Sequence, residues 1–218
     1  MVERVSGLTP KRVRGNLEAV RARVDAAAAR VGRSGGDVRI LAAVKYVPVG
    51  ELGVLARAGV ELVGENRAQD LVEKVDAHGD DFRWHFIGQL QSRKVKRIAP
   101  LVELIHSVGS ESAIRELERH GRPGLEVLIE VNLAGEAGKA GVSPDELDGM
   151  IGRCPVPVVG LMTMPPYGGG QSRRCFAGLR ELAVDRGLPE LSMGTTQDFE
   201  TAVEEGATIV RIGTSLYG

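Results

Sequence analysis

The sequence predicts a closed barrel of eight parallel strands with helices outside, a single (β/α)8 TIM barrel over residues 1–218 with an extra N-terminal helix. Two observations predict it. Eight short apolar runs start on average about 24 residues apart, the size of a minimal strand-plus-helix unit. Most gaps between them hold a segment with helical spacing and end signals, and strands alternating with helices build a parallel sheet. An open doubly wound sheet is the alternative. It is weakened because no GxGxxG follows the first run.

The elements follow in order. Thr9 to Val31 reads as a helix: Thr9 caps it, Pro10 suits its first turn, and Val13, Leu17, Val20 and Val24 share one face before Gly32 ends it. The strands begin near Val38, Glu61, Trp84, Glu103, Glu126, Pro157, Leu191 and Thr208. Between them lie VGELGVLARAG, RAQDLVEKVDAHG, SRKVKRIAP, ESAIRELERHG, SPDELDGMIGRC, QSRRCFAGLRELAVDRG and DFETAVEEG. Ser143-Pro144 opens one of these helices, and Gly59, Gly121, Gly187 and Gly206 follow others. The chain runs only a few residues past the eighth strand, so the N-terminal helix is expected to take the eighth helix's seat.

Composition narrows the function. A chain with 43% hydrophobic and 26% charged residues is a globular protein, not a disordered or fibrous one. It has no apolar run of membrane-spanning length. A net charge of −1 gives no field for nucleic acid or anionic lipid. The basic run Arg93, Lys94, Lys96, Arg97 lacks interleaved aromatics and reads as a solvated helix face. Cys154 and Cys175 make neither a disulfide scaffold nor a four-thiolate metal site, and the histidines show no ligand spacing. The first residues lack a signal-peptide core, so the expected location is the cytoplasm.

In such a barrel the chemistry sits at the C-terminal ends of the strands. Lys45 follows the first strand directly, in a chain with 22 Arg and 6 Lys. A neutral amine is a nucleophile toward carbonyls, and desolvation favours that form. A lysine that snorkels to solvent is the plainer reading, and the residue alone does not decide. The loops after the seventh and eighth strands often bind phosphate. Here they carry Ser192-Met193-Gly194-Thr195-Thr196, leading into a helix, and Gly213-Thr214. An ordinary helix cap and a turn would look the same. Closure sets the eighth strand beside the first, so Lys45, Arg211 and Gly213-Thr214 lie on adjacent staves. A lysine beside a phosphate cup suits pyridoxal 5′-phosphate (PLP) held as an aldimine. An inward Arg211 could meet the pyridine nitrogen, or sit in an ion pair within the barrel.

The segment Trp84-His85-Phe86-Ile87-Gly88-Gln89-Leu90-Gln91, followed by Arg93-Lys94, resembles the signature of the pyridoxal phosphate homeostasis protein family, which is related to the barrel domain of alanine racemase. AVKYV around Lys45, GEN at 64–66, GLMTM at 160–164, LSMG at 191–194 and VRIG at 210–213 match in family order. The resemblance implies PLP on Lys45, with Arg211 facing the pyridine nitrogen. It implies that Thr196, Gly213 and Thr214 hold the phosphate, with Ser192 and Asn66 close by. One departure is Thr195-Thr196 where the family usually has Met-Ser; the hydroxyl is kept at Thr196.

The family resemblance implies a monomeric PLP carrier or buffer in vitamin B6 homeostasis, without robust turnover, that could supply PLP-dependent apo-enzymes. The alternative is an amino-acid racemase of the alanine-racemase fold. A racemase needs a second base within reach of the reacting proton. Tyr46, Tyr167 and Tyr217 show no partner arrangement that would make one. The glycines at 168–170 could form a lid or an idle loop.

Overall fold

The computed structural model describes residues 5–135, 138, 140–166 and 170–218. Eight parallel strands close into a barrel in sequential order. They are β1 Arg39–Ala43, β2 Leu62–Glu65, β3 Arg83–Phe86, β4 Leu104–Val108, β5 Glu126–Glu130, β6 Val158–Met162, β7 Glu190–Thr195 and β8 Ile209–Ile212. Each begins within one residue of its expected start. Outside them run α1 Pro10–Arg30, α2 Val49–Arg57, α3 Ala68–His78, α4 Val95–Ile98, α5 Glu111–His120, α6 Leu147–Arg153, α7 Gln171–Val184, α8 Phe199–Glu204 and α9 Thr214–Tyr217. Among the described residues no helix is long and apolar enough to cross a membrane.

The long first helix starts where its cap signals place it, with the Thr9 hydroxyl accepting from the Arg12 amide. Its buried face carries Val13, Val20, Val24, Ala27 and Ala28. It packs against α2, α8 and α9, which is the seat between the last and first units. Arg33 fastens its end to the α8–β8 connection, donating to the carbonyls of Val203 (2.7 Å) and Ala207 (3.0 Å). The surface pairs Arg23–Glu200 and Arg30–Glu204 are half-exposed and add little.

Two apolar regions hold the barrel. The larger fills the shell between strands and helices. The smaller is the barrel's own filling: Leu41, Leu62, Leu104, Leu128, Met162 and Ile209, one each from β1, β2, β4, β5, β6 and β8. Side chains alternate along a strand, so the residues two further on from these also point inward and reach the rim. That rule carries Leu41 to Ala43, Leu104 to His106, Leu128 to Glu130 and Ile209 to Arg211.

A buried ion pair ties the ends of β1 and β2 together. Lys74 of α3 is 3% exposed, yet its Nζ donates to Glu65 Oε2 (2.5 Å) and to the Val44 carbonyl (2.7 Å). Glu65 Oε1 accepts the amides of Asn66 (2.6 Å) and Arg67 (2.9 Å). Both carboxylate oxygens of Glu65 are therefore hydrogen-bonded, as a buried charge requires. The Val44 carbonyl belongs to the peptide bond that enters Lys45, so this pair holds the first rim residue against the second strand. Lys74→Met should cost roughly 3–5 kcal/mol by leaving Glu65 buried and unpaired, with Glu65→Gln/Lys74→Met regaining most of it. Urea unfolding of both variants checks this.

Candidate functional site

The rim at the C-terminal ends of the strands gathers most of the residues singled out from the sequence. Closure is direct: Arg39, Ile40, Leu41 and Ala42 of β1 pair with Ile209, Val210, Arg211 and Ile212 of β8. A side chain at Gly213 would come 3.9 Å from the Ala43 Cβ, so the two strand ends stand side by side at the rim. Lys45 lies two residues beyond Ala43 and is half-buried. Its Nζ sits 4.9 Å from the centroid of the Tyr46 ring, and it makes no hydrogen bond to the other six candidates. It opens on a cleft of about 590 Å³ that Arg67, Asp70 and Lys74 also line.

The loops after β7 and β8 do meet. The Gly213 amide donates to Thr196 Oγ1 at 3.2 Å. Gly194 has φ +90, and a side chain there would come within 2.5 Å of the Ala202 Cβ and 2.9 Å of the Phe199 Cα. Only glycine lets this turn lie so close to α8. Thr214 opens α9, so its amide has no partner within that helix. Asp198 caps the turn by accepting the Thr195 amide (2.7 Å) and hydroxyl (3.1 Å). Gly194, Thr195 and Asp198 line a second cleft of about 600 Å³ with Met164 and Arg173.

Arg211 points into the barrel and is 6% exposed. Its Nη1 donates to the Ser192 carbonyl (2.9 Å) and hydroxyl (2.5 Å). Its Nη2 donates to the Thr163 carbonyl (3.1 Å) and touches the Met164 sulfur (2.9 Å). It forms no ion pair with a described residue, so the ion-pair alternative for this arginine is not what the barrel contains. Burial lowers its pKa to about 10, with the charges of Glu130 and Asp198 working the other way. Glu130 faces the same interior, and burial raises its carboxyl pKa against the opposing pull of Arg211.

Ser192 is fully buried, and its hydroxyl is occupied by Arg211 and by His106 Nδ1 (2.8 Å). His106 Nε2 in turn meets His85 Nδ1 at 2.9 Å. Asn66 stands at the end of β2, half-buried, its amide held by Glu65. The tyrosines offer little chemistry. Tyr217 donates its hydroxyl to the Ala43 carbonyl at 3.2 Å, and burial pushes its pKa up. Tyr167 and the glycines at 168 and 169 lie outside the described residues; Gly170 precedes α7 as its cap.

Sequence reasoning set His106 aside, gave Glu65 and Thr163 no role beyond the GEN and GLMTM segments that contain them, and did not single out Lys74 or Glu130. A signal existed for two of them. Lys74 falls three residues after Leu71, on the apolar face of its helix, where a lysine is out of place. His106 lies two residues after Leu104, so strand alternation sends it inward.

Burial keeps both inner histidines neutral. The pKa of His85 falls to about 3, and that of His106 falls well below its usual value. The unfolded chain takes up these protons near pH 6.5, whereas the folded one does not until far lower. Stability should therefore fall as pH drops from about 6.5 toward 3, by up to about 1.4 kcal/mol per pH unit for each histidine. Glu130, with a raised pKa, contributes with the opposite sign and is common to wild type and variants. Urea unfolding between about pH 7 and pH 4 should show a flatter slope for His85→Gln/His106→Asn than for wild type.

Comparison with known proteins sets this geometry in context. The family model of the alanine racemase N-terminal domain matches residues 15–218. A pyridoxal phosphate homeostasis protein of Aquifex aeolicus is 41% identical over 218 residues, covering 93% of this chain and 96% of the relative. A crystal structure of a protein of unknown function from Bifidobacterium adolescentis has a TM-score of 0.86 and 32% identity, covering 99% of this chain and 98% of the other. PipY of Synechococcus elongatus, solved with PLP bound, has a TM-score of 0.79 and 30% identity, covering 94% of this chain and 100% of the other. On the breadth of these matches, the chain belongs to the pyridoxal phosphate homeostasis protein family, built on the alanine racemase N-terminal domain.

Proposed function

We propose that residues 1–218 work as one cofactor-binding barrel that takes PLP on Lys45 and serves vitamin B6 homeostasis as a carrier or buffer. The observation that carries this reading is the junction of β8 with β1. It brings a half-buried lysine, a buried arginine with no ion pair among the described residues, and a glycine–threonine cup to one rim. The residues fit the cofactor's chemistry. Its aldehyde would supply an electrophile, and Lys45 would be the amine that holds it. Its phosphate needs close backbone approach and hydroxyl donors, which Gly213, Thr196 and Thr214 offer; Asn66 and Ser192 flank that group. Its pyridine nitrogen accepts a hydrogen bond that Arg211 can donate. A permanent cation at that nitrogen disfavours its protonation and so weakens the ring as an electron sink. The name of the Aquifex relative and the PLP-bound PipY structure support the choice of cofactor.

What flanks the amine among the described residues supports carriage over turnover. Racemisation needs a second acid–base group within reach on the opposite face of the substrate carbon. Tyr217 is committed to the Ala43 carbonyl and held neutral by burial. Tyr46 lies beneath the Lys45 amine itself. In this reading the chain acts as a monomer in the cytoplasm and passes PLP to apo-enzymes that depend on it, with no nucleic acid or membrane involved.

Borohydride reduction of the PLP-loaded protein, followed by peptide mapping, should label Lys45 and no other lysine, and Lys45→Ala should abolish the label. Label on another lysine would overturn the assignment. Robust alanine racemisation by the wild-type protein, lost in Lys45→Ala, would overturn the carrier reading in favour of the racemase.

A further inference from the structure

Arg211 has five N–H hydrogens and can only donate. Four are accounted for: two on Nη1 go to the carbonyl and hydroxyl of Ser192, and two on Nη2 go to the Thr163 carbonyl and the Met164 sulfur. The Nε–H alone has no partner among the described residues. Ser192 is the hinge of this arrangement, since one residue supplies both Nη1 acceptors.

The Ser192 hydroxyl must keep its lone pairs toward the guanidinium, so its own hydrogen turns away. Among the described residues, the acceptor it meets is His106 Nδ1, at 2.8 Å. A bare Nδ1 puts the His106 proton on Nε2, which then donates to His85 Nδ1 at 2.9 Å. His85 is left with its proton on Nε2. Every link is buried, with His106 and Ser192 at 0% exposure and His85 at 1%. A neutral ring at each histidine is what burial there demands. A reversed chain would have His106 and Arg211 both donate to Ser192 and leave the buried hydroxyl hydrogen with no acceptor among the described residues.

We propose that Ser192, His106 and His85 form a one-way hydrogen-bond chain that positions Arg211, locking its four Nη hydrogens so that the Nε–H is the donor left for the cofactor ring. The three residues act on the cofactor ring through Arg211; the Ser192 hydroxyl is spent on Arg211 and His106 and makes no bond to the phosphate it flanks. The proposal rests on the reading of the rim as a PLP site, but the direction of the chain is a property of the protein alone.

Two measurements test it. In the cofactor-free protein with ¹⁵N-labelled histidine, NMR should find His85 and His106 neutral and protonated on Nε2, from about pH 7 down to about pH 5. A ring protonated on Nδ1, or charged in that range, overturns the proposal whatever binds at the rim. In the second, His106→Leu and Ser192→Ala should each weaken PLP binding about tenfold and change the visible absorption of the bound cofactor, because the fork loses its fixed acceptor. His106→Asn, which can offer an acceptor near the same place, should restore both to within about twofold of wild type. Wild-type affinity and an unchanged spectrum in His106→Leu and Ser192→Ala would overturn the positioning role while leaving the PLP site intact. Failure of the wild-type protein to take PLP at all would instead remove the functional reading, and with it the role of the chain toward a cofactor. If His106→Leu does not fold, Ser192→Ala and the tautomers of the wild-type protein still decide.

Discussion

Everything at the rim depends on the hydrogen-bonded seam between the first and last strands. Four residues of β1 pair in register with four of β8. Without that seam, Lys45 and Gly213 would be ends of distant segments, far apart in the chain. With it, the strand ends that lead into the amine and into the glycine cup stand side by side at the rim, with the guanidinium on the strand between. The seam is reinforced from outside by α1, which fills the gap where a closing helix is needed. It is reinforced from the side by Lys74, which grips the Val44 carbonyl one peptide before the amine.

A second constraint is the cost of polarity inside a closed barrel. Most of the interior is aliphatic, as six strands contribute one large apolar side chain each. Alongside and beyond those side chains the strands place the buried polar residues His85, His106, Ser192, Glu130 and Arg211. A polar group in such a place needs a partner or loses its charge. The histidines lose theirs, and Arg211 keeps its own by filling its donors with carbonyls, a hydroxyl and a sulfur. Leaving Arg211 without a paired carboxylate has a functional sense. A tight ion pair would neutralise the cation that the site presents to a ligand, whereas neutral acceptors fix its direction and leave its charge in place.

The fold was legible because two periodicities agreed. Eight apolar runs of strand length alternated with helical segments, no GxGxxG followed the first run to favour an open doubly wound sheet, and caps such as Thr9 and Gly206 sat at the boundaries. The rim was legible in part. Gly194, Thr196 and Gly213 are glycines and hydroxyls in a loop position known to favour anions, and the structure joins Thr196 to Gly213. What escaped was the support beneath. A buried ion pair such as Glu65–Lys74 links residues whose contact depends on how a helix packs over a strand end, and no local pattern encodes it. The His85–His106–Ser192 contacts join three strands, so they exist only once the barrel's stagger is known. Motif reading finds groups that face a ligand, because they cluster in loops. It overlooks groups that hold those in place, because they are scattered and buried.

The central claim is that the Lys45 amine and the Gly213–Thr196 cup grip the two ends of one molecule. A crystal structure of the protein grown with PLP tests it most directly. Continuous density is expected from Lys45 Nζ to the cofactor ring, with the phosphate against the Gly213 and Thr214 amides and the Thr196 hydroxyl. A cofactor joined to a different lysine, or a phosphate seated away from the β7 and β8 loops, would contradict it.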